Sequence, residues 1–352
     1  MSGALERLAS KRAVLLCCGS GGVGKTTTAA ALGVAAALGG RRACVITVDP
    51  ARRLADALGG YDVANEPIKV AGPWQGELNA VMLDAKTTFD ALIERYATDA
   101  EQARRILSNR VYQNLASVLS GTQEYMATEK LFELHHSGQF DLVVVDTPPT
   151  RHALDFLDAP KRLEGFLSNR LFRAVVAPKG AYFRAAHVAS QALVRSIAKA
   201  TGAEIVDDTI AFFQAFQGME EGFRERAARV EKLLSEDETG FILVAAPRVD
   251  AIGDAAFFAQ SLRTRSLRVD ALVVNRIVPD FGPAPPGTSD VGEWASLVEN
   301  LVDLAELRRS EQDSFDGLAS AVEPAPVVHV PYLERDVHDV EGLLQVVRYF
   351  ES

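Results

Sequence analysis

Short apolar runs alternate with longer stretches of helical spacing along most of the chain. Residues 12–18 (RAVLLCC) form a Leu- and β-branched run that ends in a glycine-rich turn. Residues 25–40 (KTTTAAALGVAAALGG) read as a helix closed by glycines, and residues 42–49 (RACVITVD) as a second buried strand. The same kind of run recurs as LNAVML, FDLVVVDT, GFILVAAP, VDALVVN and APVVHVP, each after a helical or turn-rich segment. Continuous apolar strands separated by helices predict an α/β fold, with a mostly parallel central sheet and helices on both faces. Two stretches of helical periodicity, 85–138 and 161–235, interrupt this order and predict an inserted helical subdomain. The sheet domain of 11–352 is then left with a core of about 11–84, 139–160 and 236–352. Residues 278–290 are rich in Pro and Gly and read as a surface loop, and no internal repeat is found.

Composition narrows the class. The chain has 352 residues, 48% apolar and 24% charged, enough for a large core and against disorder. No apolar run reaches the roughly 20 residues that span a bilayer, and the start lacks the apolar centre of a secretory signal. A cytoplasmic protein is expected. A net charge of −10 argues against a nucleic-acid partner. The three cysteines, Cys17, Cys18 and Cys44, lie in strand-like runs, where buried thiols are expected in place of disulfides or a metal site.

The main chemical signal is Gly19–Thr26, GSGGVGKT, which fits G-x4-G-K-[ST] between a buried strand and a helix, as a P-loop requires. Backbone amides of Gly21, Gly22, Val23 and Gly24 would converge on phosphate oxygens. Lys25 would reach the β and γ phosphates, and the Thr26 hydroxyl Mg²⁺. Two acids follow strands. Asp146 ends an apolar run, where a carboxylate is costly unless it faces an ion or water, and it is expected to contact Mg²⁺ through water. Asp49 is placed to orient a water onto the γ phosphate, with a helix cap as the alternative.

GGVGKTT, VDPARRLADALG and DTPPTRHALDFL together resemble the ArsA family of deviant P-loop ATPases, and the likeness runs through most of the chain. That family contains arsenite-pump ATPases, the ATPase that targets tail-anchored membrane proteins, and bacterial half-size members, which this chain is similar to. The resemblance implies ATP or ADP with Mg²⁺, first and second switches at DPARRLADALG and DTPPTRHALDFLDAP, and Asp49 as the water-orienting carboxylate. It also implies Thr27 near the α phosphate, Asn275 reading adenine, and Pro331, Tyr332 and Leu333 lining the other side of the base. A dimer with nucleotides near its interface is implied as well.

Three departures bear on activity. Residues 111–128 and the segment after the second switch hold no cysteine, so no arsenite site is expected. No C-x-x-C pair exists to clasp a zinc, and His135 with His136 read as helix-end residues. The family's lysine that crosses the dimer to the partner's phosphates is here Ser20, neutral and short. Another cation, Arg52, Arg53 or Arg151, could replace it in a homodimer. Alternatively a paralogous subunit that retains the lysine completes the site in a heterodimer, the arrangement preferred here.

The leading expectation is an ATP-hydrolysing switch that engages a client. The alternatives are a weakly active regulatory subunit of a heteromer and, last, a partitioning-type ATPase, which would need a basic face. In the insert, Ile205, Ile210, Phe212, Phe213, Phe216, Met219 and Phe223 form a broad apolar stripe, read as internal packing before a groove for a hydrophobic or membrane-protein client. The run RERAARVEK, residues 224–232, reads as a solvated helix face.

Overall fold

A computed structural model describes residues 3–49, 53–110, 112–113, 122–168, 208, 211–212, 214–282 and 293–351. The chain divides into two compact units. The first comprises Met1–Leu83, Leu131–Leu154 and Ser235–Ser352, and the second Asp84–Lys130 and Asp155–Leu234.

The first unit is built on one eight-stranded sheet: β1 (Val14–Cys18), β2 (Arg42–Thr47), β3 (Ile68–Val70), β4 (Glu77–Met82), β5 (Leu142–Asp146), β6 (Thr239–Ala245), β7 (Ala271–Ile277) and β8 (Val327–Pro331). Their order is β3-β4-β2-β5-β1-β6-β7-β8, parallel throughout except for β3 against β4. Seven of these strands fall on the apolar runs of the sequence. The eighth, β3, is a three-residue edge strand after Pro67 that carries no period long enough to read. Strands β1, β5 and β6 are buried along their whole length, which is why they appear as unbroken apolar runs.

Helix α1 (Ala4–Lys11) precedes β1, and α2 (Lys25–Leu38) follows it. Alanines make α2 thin, and Gly33 makes it thinner still. A Cβ there would lie 2.5 Å from Val45 Cγ2 and 2.9 Å from Leu78 Cδ1, so the glycine sets how closely α2 approaches β2 and β4. This packing fixes the amino end of α2 above the carboxyl end of β1. Because β5 lies between β1 and β2, Cys17, Asp146 and Thr47 are level across three strands. Two carboxyl strand ends thus meet beside the loop, the usual position for a ligand in an open α/β sheet.

Numbered in chain order after α3 (Arg53–Ala57), the helices of the second unit are α4 (Ala85–Tyr96), α5 (Ala100–Leu107) and α8 (Glu220–Ser235), with parts of α6 (Thr122–His136) and α7 (Thr150–Ser168). Its centre is aromatic. Phe89, Tyr96, Tyr112, Phe212, Phe216 and Phe223 form a chain of ring contacts with centroids 5.1–6.5 Å apart. Phe212, Phe216, Met219 and Phe223 are all buried, while Ile205, Ile210 and Phe213 lie outside the described residues. Gln102 ties the unit together by donating to the carbonyls of Ala215 and Gln217 at 2.7 and 2.9 Å.

The expected solvated face of residues 224–232 needs correction, because Arg226, Ala227 and Val230 are buried. Arg226 lies on the buried face of α8 with Phe223, Val230 and Leu233, and its Nε donates to Glu129 Oε2 at 2.6 Å. Tyr125 Oη donates to the other oxygen of Glu129 at 2.5 Å. Helical spacing from Phe223 turns position 226 inward, and only a buried carboxylate makes an arginine tolerable there.

Candidate functional site

The loop between β1 and α2 turns on Gly24, whose φ of 96° is left-handed. No side chain caps α2, so its first amides are directed at the loop. Within the turn Lys25 is buried and donates from Nζ to Ser20 O at 2.8 Å. Burial holds its pKa below the ordinary lysine value, with Asp146 opposing that shift.

Asp146 is the focus of the group at the strand ends. Only 1% exposed, it accepts at Oδ2 from Thr26 Oγ1 at 2.7 Å and from Thr47 Oγ1 at 2.9 Å. Its Oδ1 is buried with no hydrogen-bond partner. Burial raises its pKa, while the two hydroxyls and Lys25 pull the other way. An orphaned carboxylate oxygen beside a threonine hydroxyl suits a hard, oxygen-seeking cation that retains waters. Thr47 Oγ1 also accepts from the backbone N–H of Asp49 at 3.2 Å. Asp49 itself faces Arg53 across 3.5 Å, both side chains partly exposed. Thr147, after the acid, donates to Cys17 O at 2.8 Å and pins the segment after β5 to β1.

The second group of expected residues lies apart. A cleft of about 460 Å³ is lined by Thr27, Asn275, Arg276, Pro331, Tyr332 and Leu333 among others. Thr26 and Thr27 are neighbours on α2, yet one faces the acid and the other the cleft, as a turn of about 100° per residue requires. Asn275 Nδ2 donates to Val23 O at 2.8 Å, and its Oδ1 accepts from Arg276 N at 3.0 Å. One amide hydrogen and one lone pair remain for a base edge. Gly24 permits this contact, since a Cβ there would fall 2.0 Å from Asn275 Nδ2.

The residues expected from the sequence therefore fall into two groups: Lys25, Thr26, Asp49 and Asp146 at the strand ends, and Thr27, Asn275, Pro331, Tyr332 and Leu333 around the cleft. Gly21, Gly22, Val23 and Gly24 lie between them. Of the three substitute cations, Arg53 pairs with Asp49, and Arg52 and the side chain of Arg151 lie outside the described residues. Ser20 does not project. It is 5% exposed, and its hydroxyl is buried without a partner. Sequence reasoning passed over Thr47 and Arg276. A polar residue ending an apolar strand level with Asp146 would have found the first; the second has no local signal. Among the described residues no cluster of three or more His, Cys, Asp or Glu could hold a metal, and no helix is long and apolar enough to cross a membrane.

Residues 12–351 match the family described as anion-transporting ATPases, ArsA. A protein of Aquifex aeolicus, provisionally named an arsenical pump-driving ATPase, is 24% identical over 336 residues, 94% of this chain and 76% of the relative. The ATPase GET3 of Malassezia globosa is 26% identical over 337 residues, covering 95% and 89%. The ATPase get3 of Schizosaccharomyces pombe is 32% identical over a shorter 166 residues, covering 47% and 49%.

Proposed function

Because the chain belongs to the ArsA family of ATPases, we propose that it is a Mg²⁺-dependent, dimeric ATP-hydrolysing switch whose helical unit engages a client in a nucleotide-dependent way. The observation that carries this reading is Asp146, buried, held at one oxygen by hydroxyls from α2 and β2, and unpartnered at the other. Bound there, Mg²⁺ would neutralise phosphate charge as phosphoryl transfer proceeds. Thr26 would ligate it directly and Asp146 through water. Lys25 would leave Ser20 O for the β and γ phosphates, and Asp49 would orient the attacking water. The ion pair that Asp49 must loosen to do so is exposed enough to be weak.

A second reading concerns the partner. The neutral, buried Ser20 cannot reach across a dimer, so this chain supplies no cation from that position. A heteromer in which a lysine-retaining paralogue completes the site, with slow hydrolysis by the chain alone, accounts for an otherwise full set of loop residues. Steady-state turnover of the isolated protein and of Ser20→Lys tests both readings. Slow wild-type hydrolysis that rises by roughly tenfold or more in the variant supports the heteromer. Fast wild-type hydrolysis supports a homodimer with another cation, and no Mg²⁺-dependent hydrolysis with or without a partner overturns the ATPase reading. The name of the Aquifex relative does not extend to its ligand here, because all three cysteines are buried in β1 and β2 and no thiolate cluster is available for arsenite.

A further inference from the structure

The phosphate loop is held from outside by β7. Pairing of β7 with β8 runs Asn275 against Val330 and then Ile277 against Pro331, so Arg276 is an extra residue, a bulge. Its φ of 63° is left-handed, which glycine adopts readily and a long side chain at a cost. In a regular strand adjacent side chains point to opposite faces. Here the bulge turns two neighbours onto the same loop: Arg276 Nη1 donates to Gly22 O at 2.9 Å and Asn275 Nδ2 to Val23 O at 2.8 Å.

The two carbonyls matter because of what lies across each peptide. In a planar trans peptide the C=O and the following N–H point opposite ways. Holding Gly22 O outward therefore aims the N–H of Val23 inward, and holding Val23 O outward does the same for Gly24. We propose that Arg276 is a positioning residue for nucleotide binding: the left-handed bulge in β7 puts its guanidinium on Gly22 O and so presets a loop amide for phosphate. The inference rests on the nucleotide reading above and adds a residue that the motif itself does not contain.

Glycine and alanine variants separate the side chain from the backbone. Arg276→Gly removes the guanidinium and relieves the left-handed strain, whereas Arg276→Ala removes the guanidinium and keeps the strain. Calorimetry with Mg²⁺ and ADP on the full chain, alongside melting without nucleotide, is the measurement. Both variants should bind about fivefold more weakly than wild type, as expected for one lost hydrogen bond at an exposed site, with Arg276→Lys recovering part of the loss. The nucleotide-free melting temperature of Arg276→Gly should equal or exceed that of wild type, and that of Arg276→Ala should fall below the glycine variant. Wild-type affinity in both, or affinity that follows melting temperature across the series, overturns the proposal. A wild-type chain that binds no nucleotide overturns the parent reading and this one with it.

Discussion

Lys25 rests its ammonium on the carbonyl of Ser20, 2.8 Å away, inside its own loop. The charge is buried, and burial lowers its pKa, so the resting position costs the fold part of the hydration an exposed lysine would keep. Lys25→Met should accordingly leave the nucleotide-free protein as stable as wild type or more so. Its ATP affinity should fall at least tenfold, because the phosphates lose their cation. Melting curves and calorimetry on the same samples check both halves.

Asp49 offers a different separation. Its carboxylate pairs with Arg53 across 3.5 Å, in the segment after β2. Asp49→Asn should bind ATP with nearly wild-type affinity and hydrolyse it at least a hundredfold more slowly, the scale of losing a group that positions the nucleophile. Single-turnover assays read the second effect independently of product release.

The cysteines should be silent. Cys17, Cys18 and Cys44 are buried, and burial pushes the Cys18 thiol up to about 12. Since thiolate is the reactive form, alkylation of the native protein should stay negligible as the pH rises to about 9, and all three should react once it is unfolded. Arsenite and antimonite should leave ATPase turnover unchanged, and strong stimulation by either would show a thiol site that the buried cysteines do not provide.

In the helical unit, Arg226 and Glu129 form a buried pair at 2.6 Å, 10% and 1% exposed. Removing one partner strands the other's charge. Arg226→Ala should destabilise by about 3–5 kcal/mol, whereas Arg226→Met with Glu129→Leu should recover much of that loss. Chemical denaturation of the three proteins checks the order.

Legibility in the sequence followed physical length scale. Strands buried on both faces, such as Val14–Cys18 and Leu142–Asp146, announce themselves as apolar runs, and a phosphate loop needs glycines and Lys25 within a few residues of one another. What escaped was short or distant. Ile68–Val70 is too brief to show a period, and Arg276 sits in a bulge with no glycine or proline to mark it. Arg226 and Glu129 are 97 residues apart, so the charge that α8 turns inward looks like any other on a polar helix. The candidate site was similar. Thr26 and Asp146 could be named separately, but that they share a bond, with Thr47 joining them, depends on β5 lying between β1 and β2.

Thr47 is more than a strand end. One hydroxyl donates to Asp146 and accepts from the N–H of Asp49, so it belongs to two loops at once. A hydroxyl has a single proton, and its direction toward Asp146 fixes which lone pairs remain for the Asp49 peptide. Any ion or proton that changes the pull of Asp146 must therefore be felt at the backbone of Asp49, two residues along, without passing through the nucleotide. The segments that follow β2 and β5 are thus joined twice, by this oxygen and by the Val48 N–H on the Asp146 carbonyl, and replacing the hydroxyl with the isosteric methyl of valine would leave only the backbone half of the joint.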